Sequence, residues 1–260
     1  DPLRASTAVK YGTADIVPLR PRRLQPSPPS RRGRFRLMRV HVVDHPLVAH
    51  KLTVLRDQLS AQRRALPWVR VEEPYVFDGP DGHVTFADLF QGQSQLVVYH
   101  FMFGADWEAG CKSCSFWADT FNAIPIHLKH RDVALAAISR APIERLVAYK
   151  KRLGWTFDWV SSGGNDFNRT YGVAFDTDEV ENGGATYNYG PMKPPTTELP
   201  GVSVFAKDGD AIFHTYSAYA RGIDALNATY QFLDLVPKGR DEDGLPSPMA
   251  WVRRHDEYAD

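Results

Sequence analysis

The sequence predicts an α/β protein built as a three-layer sandwich, with a mixed central sheet and helices on both of its faces. Between residues 95 and 160, buried-strand patterns alternate with helical patterns, which is typical of parallel strands joined by crossover helices. Strand patterns at 201–205 and 211–216 then flank Lys207-Asp-Gly-Asp210, which indicates an antiparallel hairpin at one edge. One main domain is enough for this chain of 260 residues, of which 43% are hydrophobic.

Composition and charge exclude several classes of protein. The 31 basic and 31 acidic residues cancel, so net charge favours neither nucleic acid nor a membrane as partner. No apolar stretch is long enough to cross a bilayer, and the N-terminus lacks the apolar core of a secretory signal. The two cysteines are too close in sequence to staple distant parts of a fold, so we expect a cytoplasmic protein rather than a disulfide scaffold.

The N-terminal region is predicted to lie outside the sandwich. Residues 1–36 are rich in Pro, Ser and Arg and predict a disordered basic arm. Residues 37–66 predict a helical extension, with apolar residues on one helical face. Within it, residues 38–57 resemble the N-terminal stretch of uracil phosphoribosyltransferases. No loop suited to a ribosyl phosphate follows, so we transfer no nucleotide chemistry from this likeness.

The elements of the main domain, residues 67–260, follow in order. Strand patterns at 69–77 and 84–90 flank the turn residues 78–82, and a buried strand covers 96–103. A helix is predicted from about 113 to 130, a buried strand at 133–138, a helix at 143–153 begun by Pro142, and a strand at 157–160. Residues 161–199 form a long Gly- and Pro-containing insertion. After the hairpin, a helix is predicted at 223–233, followed by a polar tail.

The most informative motif is Cys111-Lys-Ser-Cys114, which lies between the strand at 96–103 and the following helix. A helix N-terminus favours a thiolate over a thiol because it presents free N–H donors and partial positive charge. The spacing also lets the second sulfur displace a mixed disulfide formed by the first. We therefore expect Cys111 to be the exposed nucleophile, with a lowered pKa, and Cys114 to be the buried resolving thiol.

These segments resemble the thioredoxin superfamily, in its peroxiredoxin-like branch. The resemblance is carried by the strand at 96–103 that feeds the dithiol, and by residues 139–150 leading to 154–162. Within that superfamily the chain closely resembles a bacterial set known as a domain of unknown function, DUF899. The shared segments are residues 99–104, 110–119, 213–217 and 237–243, and the likeness runs from about residue 59 to 258.

The resemblance implies a thioredoxin-like sandwich and a redox role for the dithiol. It also implies that Leu199 and Pro200 bind substrate, because Pro200 matches the place where thioredoxins keep a cis-proline facing the dithiol. Trp107 is expected to shield the sulfurs as the thioredoxin tryptophan does, although here Gly110 directly precedes Cys111. Peroxiredoxins place Pro and Thr upstream of their reactive cysteine, and residues 104–110 contain neither.

Two further residues are candidates on position alone. Arg140 follows the second buried strand, at the sheet edge where α/β sites cluster, and is a candidate for holding an anionic substrate. His100 precedes the dithiol loop and is a candidate for proton transfer at the sulfurs. A core histidine and a solvated arginine are the alternative interpretations of these two residues.

The predicted function is that of a thiol–disulfide oxidoreductase without an organic cofactor, since neither a dinucleotide loop nor a phosphate loop occurs. Its partners would be a disulfide or thiol substrate and a protein or small-thiol reductant. The alternative is a non-catalytic carrier of zinc or copper on the same fold, using Cys111, Cys114 and either His100 or His214, or a zinc finger completed by His127 and His130. An interaction module without activity is a third class.

Overall fold

The computed structural model describes residues 45–259 of the chain, with side chains from residue 49 onward. The predicted basic arm at 1–36 lies outside the described residues. Residues Lys51–Asp260 form one compact unit, which holds every strand of the described part and the candidate site. No helix among the described residues has the length and apolar character needed to span a membrane.

The first half of the described chain runs from a long helix to the sheet centre. Its elements are helix α1 (His45–Arg64), strands β1 (Val69–Arg70), β2 (Val76–Gly79) and β3 (Gly82–Thr85), a 3₁₀ helix (Asp88–Phe90), strand β4 (Gln95–His100), helices α2 (Lys112–Ala118) and α3 (Ile124–Lys129), strand β5 (Val133–Ser139), helix α4 (Ile143–Arg152) and strand β6 (Asp158–Ser161).

The second half contains an insertion and then the edge hairpin. Its elements are helices α5 (Phe167–Thr170) and α6 (Thr177–Asn182), the small hairpin β7 (Ala185–Tyr187) and β8 (Gly190–Met192), the long hairpin β9 (Gly201–Asp208) and β10 (Ala211–Tyr219), a second 3₁₀ helix (Ala220–Leu226) and helix α7 (Ala228–Leu233).

Eight strands form one mixed sheet in the order β1-β10-β9-β4-β5-β6-β2-β3. Strands β4, β5 and β6 are parallel, whereas β9 pairs antiparallel with β4 and β10 pairs antiparallel with β9. Parallel strands need crossover connections, and α2–α3 and α4 provide them. The predicted α/β sandwich with a mixed central sheet and helices on both faces is therefore confirmed.

The sheet separates two hydrophobic clusters because successive side chains of a strand point to opposite faces. On one face, Tyr99 and Phe101 pack with aromatic residues of α2, α4 and α7. On the other face, Leu96 and Val98 pack with Phe167 of α5 and with the first 3₁₀ helix. Both faces are thus covered, and the dithiol helix α2 lies on the face that Tyr99 shares.

Two predicted helices are each interrupted. The segment predicted as one helix from 113 to 130 is split into α2 and α3. Between them, Asp119 accepts a hydrogen bond from Trp155, and the Asn122 amide donates to the Gly154 carbonyl while its oxygen accepts from Thr156 N–H. The helix predicted at 223–233 divides at Asn227, whose side chain caps α7 by accepting from Tyr230 N–H. Hydrogen bonds to residues 154–156 interrupt the first helix, and the Asn227 cap interrupts the second.

Candidate active site

The dithiol begins helix α2, where Cys111 occupies the N-cap position and Cys114 lies in the first turn. The backbone of Met102, just beyond β4, fixes both residues. Its carbonyl accepts from Cys111 N–H at 3.0 Å, and its own N–H donates to the Cys114 sulfur at 3.5 Å. The end of the central strand therefore sets the position of both sulfurs.

The two cysteines are free thiols in unequal surroundings. Cys111 is half-buried, whereas Cys114 is buried with 2% of its surface exposed. A hydrogen bond from the Cys114 side chain, together with the N–H groups of Cys114 and Ser113 and the Ser113 side chain, lowers the pKa of Cys111 to about 6 against the opposing effect of burial. Burial and the neighbouring Cys111 raise the pKa of Cys114 well above its ordinary value.

Tyr99 lies beside the buried sulfur. Its side chain is 1% exposed, and its hydroxyl lacks a well-formed hydrogen bond within the described residues. The hydroxyl nevertheless interacts with Cys114, and this interaction opposes the rise in the pKa of the Cys114 thiol. Burial and the charge of Cys114 raise the pKa of Tyr99 in turn. Tyr99 is therefore a neutral donor available to a thiolate at Cys114.

The loop before Cys111 is fastened to α4 and to the C-terminal tail. The Gly110 carbonyl accepts from the Tyr149 hydroxyl at 3.2 Å and from the Arg254 guanidinium at 2.7 Å. Ser115 in α2 hydrogen-bonds the same Tyr149 hydroxyl and also the Cys111 carbonyl. A dithiol held in this way approaches its substrate with little reorganisation.

A cavity of about 820 Å³ opens beside the buried thiol. Tyr99, Met102 and Cys114 form its floor. A roof segment, residues 238–249, covers it and contributes apolar residues such as Leu245 and Met249. Of the described residues, Cys114 lines this cavity and Cys111 does not. Its volume is within the range of small-molecule sites.

Trp107 and Arg140 differ in their relation to the site. Trp107 packs against the same core cluster as Cys111, and its ring lies on Gly104, where an added Cβ would come within 2.8 Å of Nε1. Arg140 instead donates to the buried carboxylate of Glu198 at 2.6 Å and to the Thr197 carbonyl at 3.3 Å. These groups engage Nε and Nη2 of the guanidinium, and the anion-binding role of Arg140 stays a prediction.

The segment Leu199–Pro200 also departs from the expectation. No peptide bond among the described residues is cis, so Pro200 is trans. Trans is the favoured state of an X–Pro bond, and the Leu199 N–H donates to Val173 O while the Pro200 carbonyl accepts from the Tyr187 hydroxyl. The Leu199 N–H is therefore not available to a substrate. Pro200 does line the cavity beside Cys114.

His100 and His214 lie on the opposite face of the sheet from the sulfurs. His100 alternates with Tyr99 along β4 and stacks on Tyr171 of the second cluster, and burial lowers its pKa to about 3. A buried hydrogen-bond chain joins it to His214 through Ser203 and Ser217, with distances of 2.7–2.8 Å. The proton-transfer role predicted for His100 is therefore wrong, because the strand directs its ring away from the dithiol.

The described structure does not bring together the residues of the predicted metal sites. Across residues 45–259, no three His, Cys, Asp or Glu side chains are grouped so that they could hold a metal ion. His127 lies in α3, beyond the break that follows α2, and neither it nor His130 joins the sulfurs. The four-residue set of Cys111, Cys114, His100 and His214 is divided by the sheet.

Sequence reasoning missed three parts of this site. Tyr99 had a usable signal, because strand alternation places it on the dithiol face once His100 is placed on the other. The roof segment overlaps the shared segment 237–243, but neither it nor Arg254 had a signal linking it to the dithiol, since both lie in a polar tail more than a hundred residues away in sequence. Only the fold brings them to it.

Comparison with known proteins gives a family match over most of the chain. Residues 44–258 match the family described as "Bacterial protein of unknown function (DUF899)". Peroxiredoxin Q of Xanthomonas campestris is a similar solved structure, 13% identical, with 64% of this chain and 97% of that chain covered and a TM-score of 0.43. A Mycobacterium tuberculosis peroxidoxin is 12% identical, with 64% and 95% covered and a TM-score of 0.43. The fold assignment rests on the strand order described above.

A short segment also resembles curated enzymes of another class. Uracil phosphoribosyltransferases of Beutenbergia cavernae and Streptomyces coelicolor are 90% identical to this chain over 21 residues. The match covers 8% of this chain and 10% of each enzyme, so the chain spans about a tenth of the length of these curated relatives.

Proposed function

The chain belongs to the DUF899 family of bacterial proteins, and we propose that it is a thiol–disulfide oxidoreductase that cycles Cys111 and Cys114 between dithiol and disulfide. The main observation behind this proposal is that the two sulfurs differ in accessibility and in pKa. Cys111 is accessible and has a pKa of about 6, whereas Cys114 is buried with a raised pKa and hydrogen-bonds to it. A nucleophile next to a protonated resolving thiol is the arrangement that exchange requires.

The cycle follows from this geometry. The Cys111 thiolate attacks one sulfur of a substrate disulfide, and the other sulfur leaves as a thiolate that takes up a proton. Cys114 then loses its proton and attacks Cys111, which forms the Cys111–Cys114 disulfide and releases the second substrate thiol. Two electrons thereby pass from the protein to the substrate, while Cys114 releases one proton and solvent supplies the other, because Cys111 enters the cycle as a thiolate. Tyr99 would stabilise the transient Cys114 thiolate by donating a hydrogen bond.

The proposal assigns the other components as follows. Pro200, which lines the cavity beside Cys114, and Trp107, which packs near Cys111, would contact the substrate. A thiol reductant would restore the dithiol, and no organic cofactor is part of the cycle. We place this cycle in the cytoplasm, where thiols are kept reduced.

The first test measures the ionisation of Cys111. We expect its alkylation by iodoacetamide to follow a titration with a midpoint near pH 6, because hydrogen bonds stabilise its thiolate. Cys114→Ala removes the side-chain donor and should raise the midpoint. In Cys111→Ser, the remaining buried Cys114 should react only at a pH well above neutral. A Cys111 midpoint at the ordinary thiol value, with equal reactivity of Cys114, would refute the proposal.

The second test asks whether the dithiol cycles. In a titration with reduced and oxidised dithiothreitol, we expect one reversible two-electron transition with a disulfide between Cys111 and Cys114, identified by peptide mass. Cys111→Ser and Cys114→Ala should each abolish the transition. Metal analysis of the same preparation distinguishes the oxidoreductase from the metal-carrier alternative. Stoichiometric zinc or copper with inert thiols would support that alternative and contradict the oxidoreductase.

A further inference from the structure

We infer that the cavity beneath the roof segment receives the reductant of the cycle, a low-molecular-weight thiol with an apolar body, which attacks Cys114 and not Cys111. This inference rests on the proposed function and adds the route and the chemical class of its electron donor. The substrate disulfide would then react at Cys111 and the reductant at Cys114.

Access is the first argument. Cys114 lines the cavity, and 2% of its whole surface is exposed. Cys111 is absent from the cavity lining within the described residues, yet it is half-buried and reachable from outside. A small molecule inside the cavity therefore meets only one of the two sulfurs.

Leaving-group chemistry is the second argument. When a thiolate attacks a disulfide, the reaction is faster if the departing sulfur is the more acidic thiol. Attack at Cys114 expels Cys111, whose thiolate still receives hydrogen bonds from the Cys114 and Ser113 N–H groups and from the Ser113 side chain, although the Cys114 thiol no longer donates to it. Attack at Cys111 would instead expel Cys114, whose thiolate is disfavoured by burial. The sulfur that the cavity exposes is thus the one at which reduction is favoured.

The step balances with two equivalents of the small thiol. The first thiolate bonds to Cys114 as the Cys111–Cys114 bond breaks, and Cys111 leaves as a thiolate. A second thiolate attacks the sulfur of the bound small thiol, which releases the small-molecule disulfide and a Cys114 thiolate. That thiolate takes a proton, and the buried Tyr99 hydroxyl is in place to donate a hydrogen bond to it. Two electrons pass from two small thiols to the protein.

The lining determines the kind of thiol. The lining combines apolar and aromatic side chains, such as Trp117, Ile223 and Met249, with charged ones, such as Lys238, Asp241 and Asp243. The Arg221 and Arg240 side chains at its border are engaged with Asp224. The volume of about 820 Å³ suits a drug-sized molecule rather than a protein segment. An apolar body filling this space gains affinity that a small hydrophilic thiol lacks.

Hydrogen bonds and an ion pair hold the roof segment in place. One Glu242 oxygen accepts from the Tyr230 hydroxyl, the Trp251 indole and the Met249 N–H at 2.7–3.1 Å. Arg240 lies over the Tyr230 ring at 3.8 Å and pairs with Asp234. A roof held by charged hydrogen bonds supports a persistent cavity.

Kinetics of the oxidised protein test the inference. We expect benzyl mercaptan to reduce it with saturation and mercaptoethanol to reduce it slowly without saturation. Leu245→Trp should fill the cavity and slow benzyl mercaptan about tenfold while changing the mercaptoethanol rate less than about twofold. Leu235→Trp is the matched control, because Leu235 is 81% exposed and does not line the cavity. It should leave both rates unchanged.

Mapping of the mixed disulfide identifies the attacked sulfur. Rapid acid quenching and peptide mass analysis should find the benzyl thiol on Cys114. Tyr99→Phe should slow the reduction by benzyl mercaptan without changing the site of attachment. Attachment to Cys111, or equal slowing of both thiols by Leu245→Trp, would overturn the inference and leave the oxidoreductase intact. Failure to form the intramolecular disulfide would instead overturn the proposed function and, with it, this inference.

Discussion

Two identical side chains, Cys111 and Cys114, acquire opposite acidities within one turn of helix. Donors from Cys114 and Ser113 converge on Cys111, whereas burial dominates at Cys114. A helix of seven residues adds little beyond these direct bonds, so local hydrogen bonding rather than helix length explains the acidity of Cys111. At the scale of single residues, the acidity of each thiol depends on whether hydrogen-bond donors reach its sulfur.

Glu198 is a second residue with perturbed ionisation. Its carboxylate is 1% exposed and pairs with Arg140. Burial raises its pKa from 4.5 to about 7, the Arg140 charge opposes this rise, and the Asp106 charge adds to it. The native state therefore holds a proton on Glu198 at pH values where the unfolded chain has lost it.

We expect Glu198 to make stability depend on pH. A carboxyl group whose pKa is raised on folding contributes stability below the unfolded-state value, and this contribution is lost as pH rises toward the folded-state value. Between about pH 4.5 and 7 the wild type should lose of the order of 1–3 kcal/mol relative to Glu198→Gln, since one pKa unit is worth about 1.4 kcal/mol.

Urea unfolding at several pH values measures this difference in the free energy of unfolding. Glu181→Gln, at an exposed position outside the ion pair, is the matched control and should show no such trend. A difference between wild type and Glu198→Gln that stays constant or grows with pH would contradict the assignment.

The loop before α2 illustrates how one element positions the chemistry. Gly110 passes so close to the core that an added Cβ would lie 2.7 Å from Phe101 Cε1 and 3.1 Å from Tyr149 Cε1. Both rings are buried, so neither can move aside cheaply. The absence of a side chain at this position lets the loop reach the dithiol.

Gly110→Ala should displace this loop. We expect a loss of about 1–3 kcal/mol in the free energy of unfolding, as for other overpacked sites. The Cys111 titration midpoint should also rise, because the N–H donors near its sulfur shift. Gly164→Ala is the control, since nothing lies within 4 Å of its added Cβ. Thermal unfolding and alkylation of both variants provide the measurements, and equal behaviour of the two would refute this account.

Across the whole molecule, the C-terminal tail closes the site. Arg254 hydrogen-bonds both Tyr149 and the Gly110 carbonyl, and Val252 is fully buried. Glu242 ties the roof segment to α7 and to Trp251. Residues that are distant in sequence therefore surround the dithiol, and we expect their substitution to change the reactivity of Cys111.

Arg254→Ala tests this long-range support. It leaves the Gly110 carbonyl with one donor fewer, and we expect a loss of about 1–3 kcal/mol in the free energy of unfolding. Alkylation of Cys111 should become faster at a fixed pH as the loop loosens. Arg253→Ala is the matched control and should change the alkylation rate little, because among the described residues the Arg253 guanidinium bonds to the Ala250 and Val252 carbonyls of its own tail.

Sequence patterns by themselves determined the α/β class, the parallel strands around the dithiol and the hairpin at the sheet edge. These features follow from local periodicity and turn chemistry, which act over a few residues. They also determined which two sulfurs stand together, because two residues separate Cys111 from Cys114.

Tertiary structure alone decided the rest of the site. It kept Pro200 trans, paired Arg140 with Glu198, and brought the roof segment and Arg254 to the dithiol. Each outcome depends on side chains far apart in the chain competing for the same donors and the same space. The packing of the whole domain decides which side chains make these contacts, and local sequence patterns do not encode that outcome.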